Sequence, residues 1–172
     1  MTPIIFRKAT PQEAPQIWRI LQQAIQRRKV AGSNQWQDGY PNLTTLQKDI
    51  DKKQGYVIVV NNTIVGYCAL LINDEPAYAN IKGKWLTEDS FVVFHRVAIS
   101  AEFLGEGWAK KLFEHIAVFA KKNNIYSIKA DTNHDNHAML HLFKFFGYTF
   151  CGEVSFRGSP RLAYEKVLSS VL

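Results

Sequence analysis

The sequence predicts an α/β (α+β) fold, with helices on both faces of a mixed β-sheet of about six to seven strands. Strand-like and helix-like segments are intermixed along the chain. A hairpin signal at Asn61-Asn62 precedes a strand–helix–strand unit, and two more strands follow that unit. The chain of 172 residues suits a single domain over residues 1–172, and its hydrophobic content of 47% allows a core without disulfides or a structural metal.

The first half of the chain predicts a strand, two helices and a hairpin. Thr10 is expected to cap the first helix, with Glu13 at capping-box spacing, and apolar residues from Ile17 onward recur on one helical face. The expected segments are an extended stretch at 2–8, helices at 11–29 and 43–53, strands at 56–60 and 63–72, and a long loop or broken segment at 73–89.

The second half predicts alternating strands and helices, followed by a hairpin. Its first helix carries an apolar stripe at helical spacing with lysines opposite. The expected segments are strands at 91–99 and 125–130, helices at 107–123 and 135–146, and strands at 148–157 and 161–167 around a turn at 158–160.

Composition and charge restrict the class of protein. The longest apolar stretch, 64–72, is too short to cross a bilayer, and no signal peptide is evident at the N-terminus. Cys68 and Cys151 are too few for a disulfide framework, so we expect a cytoplasmic protein. The formal net charge of +6 favours phosphate-bearing ligands but does not choose among nucleic acids, lipids and nucleotide cofactors.

The most informative segment is a turn of small residues between a strand and a helix. Gly105, Gly107 and Ala109 open the helix expected at 107–123, so backbone N–H groups and the helix dipole can bind a phosphate there. A tight turn without a ligand would give the same spacing. No Gly-Lys-Ser/Thr or Gly-x-Gly-x-x-Gly motif is present, which excludes a P-loop and argues against a dinucleotide fold.

Two motifs in this half resemble those of the GCN5-related N-acetyltransferase (GNAT) family. Residues 104–109, LGEGWA, overlay the family's pyrophosphate loop, Arg/Gln-x-x-Gly-x-Gly/Ala. Residues 136–148, NHAMLHLFKFFGY, match the family's Asn-x-x-small-x-x-Leu-Tyr-x-x-x-Gly-Phe at Asn136, Leu142 and Gly147. The order of elements from residue 5 to residue 167 fits as well, so the resemblance extends over nearly the whole chain.

The resemblance implies an acetyl-CoA-dependent N-acetyltransferase that acts on a primary amine of a small molecule or peptide by direct attack. It also implies a sheet that splays after strand 91–99 and holds the pantetheine arm. The residues it assigns to the cofactor are Val97, Ala98, Ile99, Leu104, Gly105, Glu106, Gly107, Trp108, Ala109, Asn136 and Phe143.

Two of these positions depart from the family pattern. Leu104 cannot donate a side-chain hydrogen bond, so backbone N–H groups would carry the phosphate contact. Phe143 stands where many members have a tyrosine that protonates the departing thiolate, and a phenyl ring cannot do so. Phe143 and the lack of an unequivocal general base keep a second interpretation open, a non-catalytic module that binds or senses acyl-CoA.

Candidates for the general base are His95, on the strand beside the expected thioester, and Glu88, at the entrance to that strand. Each also has an ordinary structural explanation, as a sheet histidine or a solvated carboxylate. The aromatic residues of the two longest loops are candidates to enclose the acceptor, although they could equally cap the sheet: Trp36, Tyr40, Tyr78 and Trp85.

Other ligands are not favoured. His137 and His141 share a helical face but lack further metal ligands nearby, so we expect no metal site. The lysines of the helix at 107–123 are explained by a solvated face, so we expect neither nucleic acid nor membrane as a partner. A homodimer is compatible with the sequence, which does not identify the acceptor.

Overall fold

The computed structural model describes residues 2–170, which divide into two compact units. The first contains the chain up to Leu70 together with His95–His115. The second contains Leu71–Phe94 and the chain from Ile116 onward. That residues 1–172 form a single domain stays a prediction. Within residues 2–170, no helix combines the length and apolar composition needed to cross a bilayer.

Eight strands and four α-helices form the described part of the chain. They are β1 (Ile4–Lys8), α1 (Ala14–Val30), α2 (Leu43–Asp51), β2 (Gly55–Val60), β3 (Thr63–Ile72), β4 (Lys82–Gly83), β5 (Val92–Ile99), α3 (Trp108–Lys122), β6 (Ser127–Thr132), α4 (His137–Phe145), β7 (Thr149–Phe156) and β8 (Ser159–Val167). Short 3-10 turns lie at Pro11–Glu13, Pro76–Asn80 and Ala101–Phe103.

The strands form a mixed sheet. Their order is β1-β2-β3-β5 in the first unit and β5-β6-β8-β7-β4 in the second, with β5 divided between the two. The β5–β6 pair is parallel, whereas the β1–β2, β2–β3, β6–β8, β7–β8 and β4–β7 pairs are antiparallel. The expected fold class is confirmed, with eight strands instead of about six to seven.

In the first unit, helices cover both faces of the strands. Ile17 and Leu21 of α1 pack with Leu46 of α2 against the side chains of Val57 and Val59 on β2. The alternate residue Tyr56 points to the opposite face because successive strand side chains alternate. There, the Phe6 ring stacks on Tyr56 and on His115 of α3, with centroids 5.3 and 5.2 Å apart.

The hairpin between β2 and β3 turns at Asn61 and Asn62, as predicted. Their φ angles of +49° and +59° lie in the left-handed region, which asparagine tolerates better than most residues. The pairing is regular from Val60↔Thr63 onward except for one shift between Ile58 and Val59.

Strand β4 was not predicted, because residues 73–89 were expected to be a loop. It consists of Lys82 and Gly83 alone and pairs with Glu153 and Gly152 of β7. Gly83 and Gly152 adopt φ angles of +144° and +143°, and a Cβ on either would approach the opposite backbone to 2.1–2.2 Å. Only a pair of glycines lets these strands come so close.

The final hairpin is tighter than predicted. The turn residues are Arg157 and Gly158, with φ angles of +49° and +73°, so Ser159 and Pro160 belong to β8 instead of the turn. Pro160 pairs with Ser155 of β7. The Ser-Pro dipeptide is typical of a turn by its composition. The left-handed residues that a two-residue hairpin requires are instead Arg157 and Gly158, immediately before it.

In the second unit, the two faces of β8 have different partners. Tyr164 stacks on Phe143 of α4, with centroids 4.5 Å apart. The neighbouring Ala163 points the other way and packs in a cluster with Tyr78 and Val93. The segment 71–91 therefore covers the face opposite α4.

Candidate functional site

The turn between β5 and α3 is open to solvent. Gly105 and Gly107 adopt φ angles of +80° and +84°, and a Cβ at either would meet no atom within 4 Å. The exposed residues Leu104 and Glu106 complete the turn, and α3 begins at Trp108. The first turn of such a helix directs backbone N–H groups outward. The turn thus has the room and the donors to hold a phosphate.

Side chains from α1 hold the end of β5 that leads into this turn. The Arg27 guanidinium donates from Nη2 to the carbonyl of Ile99 (2.7 Å), and the Gln23 side chain accepts from the N–H of Ala101 (2.9 Å). The side chains of Val97, Ala98 and Ile99 are buried, so these three residues can offer a ligand mainly their backbone. The sequence analysis did not single out Gln23 and Arg27. In the sequence they are marked only as two polar residues four positions apart on α1.

Arg96 interrupts β5 with a left-handed residue, at a φ angle of +56°. Its guanidinium donates to both oxygens of the Asp49 carboxylate, at 2.6 and 2.8 Å. Tyr67 donates to the same carboxylate (2.7 Å), and the Tyr40 hydroxyl accepts from Arg96. Burial and the Asp49 charge raise the pKa of Tyr67, which therefore stays protonated.

Two of the predicted acceptor residues, Trp36 and Tyr40, lie in the first unit. The Trp36 ring is only 6% exposed and lies under the Arg28 guanidinium, 3.7 Å from its centroid. Burial and the charge of Arg27 lower the pKa of Arg28 to about 10. Trp36 therefore has a packing role, whereas the half-buried Tyr40 belongs to the Arg96 network. His95, also in this unit, is a half-buried residue of β5.

The other two predicted acceptor residues, Tyr78 and Trp85, line a cavity of about 480 Å³ in the second unit. Glu88, a predicted base, is an exposed residue on the same wall. Hydrogen bonds fix the rings: the Tyr78 hydroxyl donates to Asp131 (2.5 Å), and the Trp85 indole donates to the Tyr78 carbonyl (2.9 Å). Such a cavity is within the usual volume range of small-molecule sites.

The loop that carries Glu88 is fastened to the sheet by Glu165, a fully buried residue of β8. One carboxylate oxygen accepts from the N–H groups of Leu86 (2.6 Å) and Thr87 (3.4 Å). The other accepts from the hydroxyls of Thr87 (2.6 Å) and Ser127 (2.7 Å). A buried carboxylate with four donors is well satisfied, so the loop has a defined position. This role could not be predicted from the sequence, because Glu165 lies 78 residues from Thr87.

Comparison with known proteins identifies a family. The model of the acetyltransferase (GNAT) family matches residues 17–148, which is most of the chain. The chain belongs to the GNAT acetyltransferase family.

One solved structure agrees with this assignment, and two more distant ones share the fold. A GNAT-family acetyltransferase from Streptococcus agalactiae is 33% identical, with a TM-score of 0.89 over 96% of both chains. One from Listeria monocytogenes is 18% identical, with a TM-score of 0.77 over 96% of this chain and 95% of that one. The yncA protein of Salmonella typhimurium, solved with its cofactor acetyl-CoA, is 15% identical, with a TM-score of 0.67 over 97% and 95%. No curated protein matches the chain.

GNAT acetyltransferases use acetyl-CoA, and the prediction of this cofactor is confirmed at the level of the family. The chain's own residues fit it. The space above Gly105 and Gly107 is empty on the side where a Cβ would point, so a diphosphate can reach the backbone N–H groups of the turn. Leu104, which replaces the family's polar residue, is 46% exposed and leaves this approach unobstructed.

The second GNAT motif lies at α4, and its residues Asn136 and Phe143 make contacts within the protein. The Asn136 side chain caps the helix by accepting from the N–H of Met139 (3.2 Å). Phe143 is fully buried and lies 5.2 Å from the Tyr148 ring in addition to its stack on Tyr164. Cofactor contacts by Asn136 and Phe143 stay predictions, and the burial of Phe143 favours a packing role.

Neither metal ligation nor a cysteine nucleophile is favoured by the geometry. Among residues 2–170, no group of three or more His, Cys, Asp or Glu side chains could hold a metal ion. Cys68 and Cys151 are both buried and unpaired. Burial raises the pKa of both thiols, which disfavours the nucleophilic thiolate.

Proposed function

We propose that this GNAT protein is an acetyl-CoA-dependent N-acetyltransferase that acetylates a primary amine of a small molecule or peptide. The observation that carries the proposal is the open turn at Gly105 and Gly107 before α3, in a chain of this family. Anion binding at a helix N-terminus needs both exposed N–H groups and room for the ligand, and this turn has both.

The chemistry is a direct transfer. When bound, acetyl-CoA supplies a thioester carbonyl to which the amine forms a C–N bond while the C–S bond breaks, the electron pair passing to sulfur and the proton released by the amine ending on the thiol. The protein's part is to bind the diphosphate on residues 105–109 and to polarise the carbonyl with a backbone N–H of Val97 or Ala98.

Of the two candidate bases, Glu88 and His95, we favour Glu88 as the group that takes the proton from the amine. Its carboxylate is exposed on the wall of the second unit's cavity, where a small amine has space to bind. A base must lie within hydrogen-bond reach of the proton it removes, directly or through one water. His95 remains the alternative, as a half-buried residue of β5.

Direct attack is preferred to an acyl-cysteine route because neither thiol has the setting of a nucleophile. Cys68 is fully buried, and Cys151 is 8% exposed. A protonated thiol in an apolar site reacts poorly. Two unpaired thiols also agree with a reducing compartment, so we propose a cytoplasmic location.

A second candidate function is a non-catalytic module that binds or senses acyl-CoA. The observation that favours it is Phe143, whose ring is buried and has no proton to give a thiolate. A thiol with a pKa of about 8.5 can, however, leave without an acid, so this substitution does not exclude turnover.

Calorimetric titration with acetyl-CoA, free CoA and NAD tests the cofactor, and thiol release with a panel of primary amines tests the reaction. We expect micromolar binding of both CoA forms, no binding of NAD, and thiol release that depends on the amine. Binding of CoA without thiol release for any amine would favour the non-catalytic module. Failure to bind CoA at low salt would contradict both functions.

A further inference from the structure

Lys129 is a buried cation at the wall of the cavity in the second unit. It lies on β6 and is 4% exposed. Its ammonium is 4.1 Å from the centroid of the Phe91 ring and 4.6 Å from that of Trp85. Aromatic faces stabilise a cation in this position but accept no conventional hydrogen bond. Within residues 2–170, Lys129 makes no side-chain hydrogen bond or ion pair.

The acidic residue paired with Lys129 in the sheet does not satisfy this ammonium. Glu165 is the register partner of Lys129, and its charge favours the charged form of the lysine. The Glu165 oxygens, however, are engaged by Leu86, Thr87 and Ser127, as described above. The ammonium thus keeps its three donors for a group inside the cavity.

The opposite charge lies elsewhere on the cavity wall. Asp74 and Glu88 are exposed residues of the lining, which also contains the rings of Tyr78, Trp85 and Phe91. A ligand with an anion for Lys129, a cation for these carboxylates and an apolar body would satisfy all three features. An amine without an anion would leave the ammonium with only the faces of Phe91 and Trp85 as neighbours and no anionic partner in the cavity.

We propose that this cavity binds an amino acid, with its carboxylate on Lys129 and its amine toward Glu88 and Asp74. The inference rests on the proposed function, because this amino acid is then the acetyl acceptor. A cavity of about 480 Å³ accommodates one free amino acid with an apolar side chain, and the carboxylate requirement excludes amines that lack one.

Matched ligands test the carboxylate directly. Phenylalanine, phenethylamine and 3-phenylpropionate share one apolar body. Phenylalanine has both an amine and a carboxylate, phenethylamine has only the amine, and 3-phenylpropionate has only the carboxylate. Calorimetry on the wild-type protein should give binding about tenfold or more tighter for phenylalanine than for phenethylamine, because a charge-assisted hydrogen bond is lost. Equal affinities, or no saturable binding of phenylalanine at millimolar concentration, would overturn the proposal.

Lys129→Met tests the residue, and Lys84→Met is its control, because Lys84 is an exposed lysine of the same cavity. Lys129→Met should reduce phenylalanine affinity by about tenfold and leave phenethylamine unchanged, whereas Lys84→Met should change neither appreciably. Equal losses for both ligands would contradict the assignment. If Lys129→Met does not fold, the wild-type comparison alone decides.

Thiol release separates this inference from the proposed function. Release with phenethylamine but not with phenylalanine would support an N-acetyltransferase and overturn the amino-acid acceptor. Selective binding of phenylalanine without thiol release from acetyl-CoA, for any amine, would support the carboxylate site of Lys129 and contradict the proposed function.

Discussion

Arg96 and Asp49 form a two-point ion pair inside the first unit, with N–O distances of 2.6 and 2.8 Å. Their side chains are 9% and 6% exposed, so water does not screen the pair effectively. Because Asp49 lies on α2 and Arg96 on β5, the pair fastens the helix to the left-handed residue of the strand. It thereby fixes the strand immediately before the predicted cofactor residues Val97 to Ile99.

Asp49→Asn should therefore destabilise the protein strongly. The change leaves the Arg96 guanidinium buried without its counter-charge, which typically costs about 3–5 kcal/mol of unfolding free energy. Urea denaturation measures this loss. The control is Glu13→Gln, which breaks the more exposed Arg7–Glu13 pair and should cost no more than about 1 kcal/mol. Similar losses for both variants would show that burial does not set the strength of the Arg96 pair.

Gly107→Asp should abolish binding of acetyl-CoA. The side chain would occupy the open space above the turn and add a negative charge where the diphosphate is expected. Calorimetric titration measures the loss, which we expect to exceed about a hundredfold, equivalent to about 2.7 kcal/mol.

The control for backbone strain is Gly32→Asp. Gly32 has a φ angle of +80° and no atom within 4 Å of an added Cβ, so the variant carries a similar left-handed strain away from the turn. Both variants should lose comparable stability, about 1–2 kcal/mol. Only Gly107→Asp should lose cofactor binding. Equal cofactor affinities in the two variants would refute the phosphate assignment.

Phe143→Tyr should lower stability without raising the rate of acetyl transfer. Phe143 is fully buried among Phe94, Tyr148 and Tyr164, so an added hydroxyl would need a partner in an aromatic cluster. Burying an unsatisfied hydroxyl costs about 1–3 kcal/mol. Thermal unfolding and kcat are the two measurements. A higher kcat would mean that the ring reaches the leaving thiolate and that the GNAT tyrosine role can be restored.

The sequence predicted those parts of the fold that depend on local patterns. The Asn61-Asn62 turn and the apolar stripe of α3 are set by residues close together in the chain, so periodicity and turn chemistry sufficed. Strand β4 could not be predicted, because a two-residue strand has no periodicity. It depends on contact between Gly83 and Gly152, which lie far apart in sequence.

The site was predictable only where the family motif or residue type marked it. The glycine turn was evident, and Tyr78, Trp85 and Glu88 were expected near an acceptor. Lys129 was not expected there, because a lysine inside a strand suggests a side chain that faces solvent. Only its register with Glu165 and the rings around its ammonium show otherwise. Trp36 looked equivalent to Trp85 in sequence, and only its packing under Arg28 distinguishes them.

Glu88→Gln and His95→Gln distinguish the two candidate bases. Each change keeps the shape of the side chain approximately and removes its ability to take a proton. If Glu88 is the base, Glu88→Gln should reduce kcat by about a hundredfold or more, while His95→Gln should have little effect. Steady-state thiol release under saturating acetyl-CoA measures both. A large loss of kcat in His95→Gln alone would identify His95 as the base instead.

The charge of Lys129 predicts a pH dependence of carboxylate binding. Burial lowers the pKa of Lys129, against the opposing charge of Glu165. A lowered pKa means that the ammonium loses its proton before an ordinary lysine would, so binding is full at neutral pH and falls as the pH rises through the alkaline range. 3-Phenylpropionate is the suitable probe, because it has no amine to titrate and its carboxylate stays ionised throughout.

Calorimetry from neutral to alkaline pH should show a loss of about tenfold in 3-phenylpropionate affinity as Lys129 is neutralised. Lys129→Met should bind weakly at every pH, giving a flat profile. Lys84→Met should retain the wild-type profile. A wild-type profile as flat as that of Lys129→Met would mean that the carboxylate is held by another group.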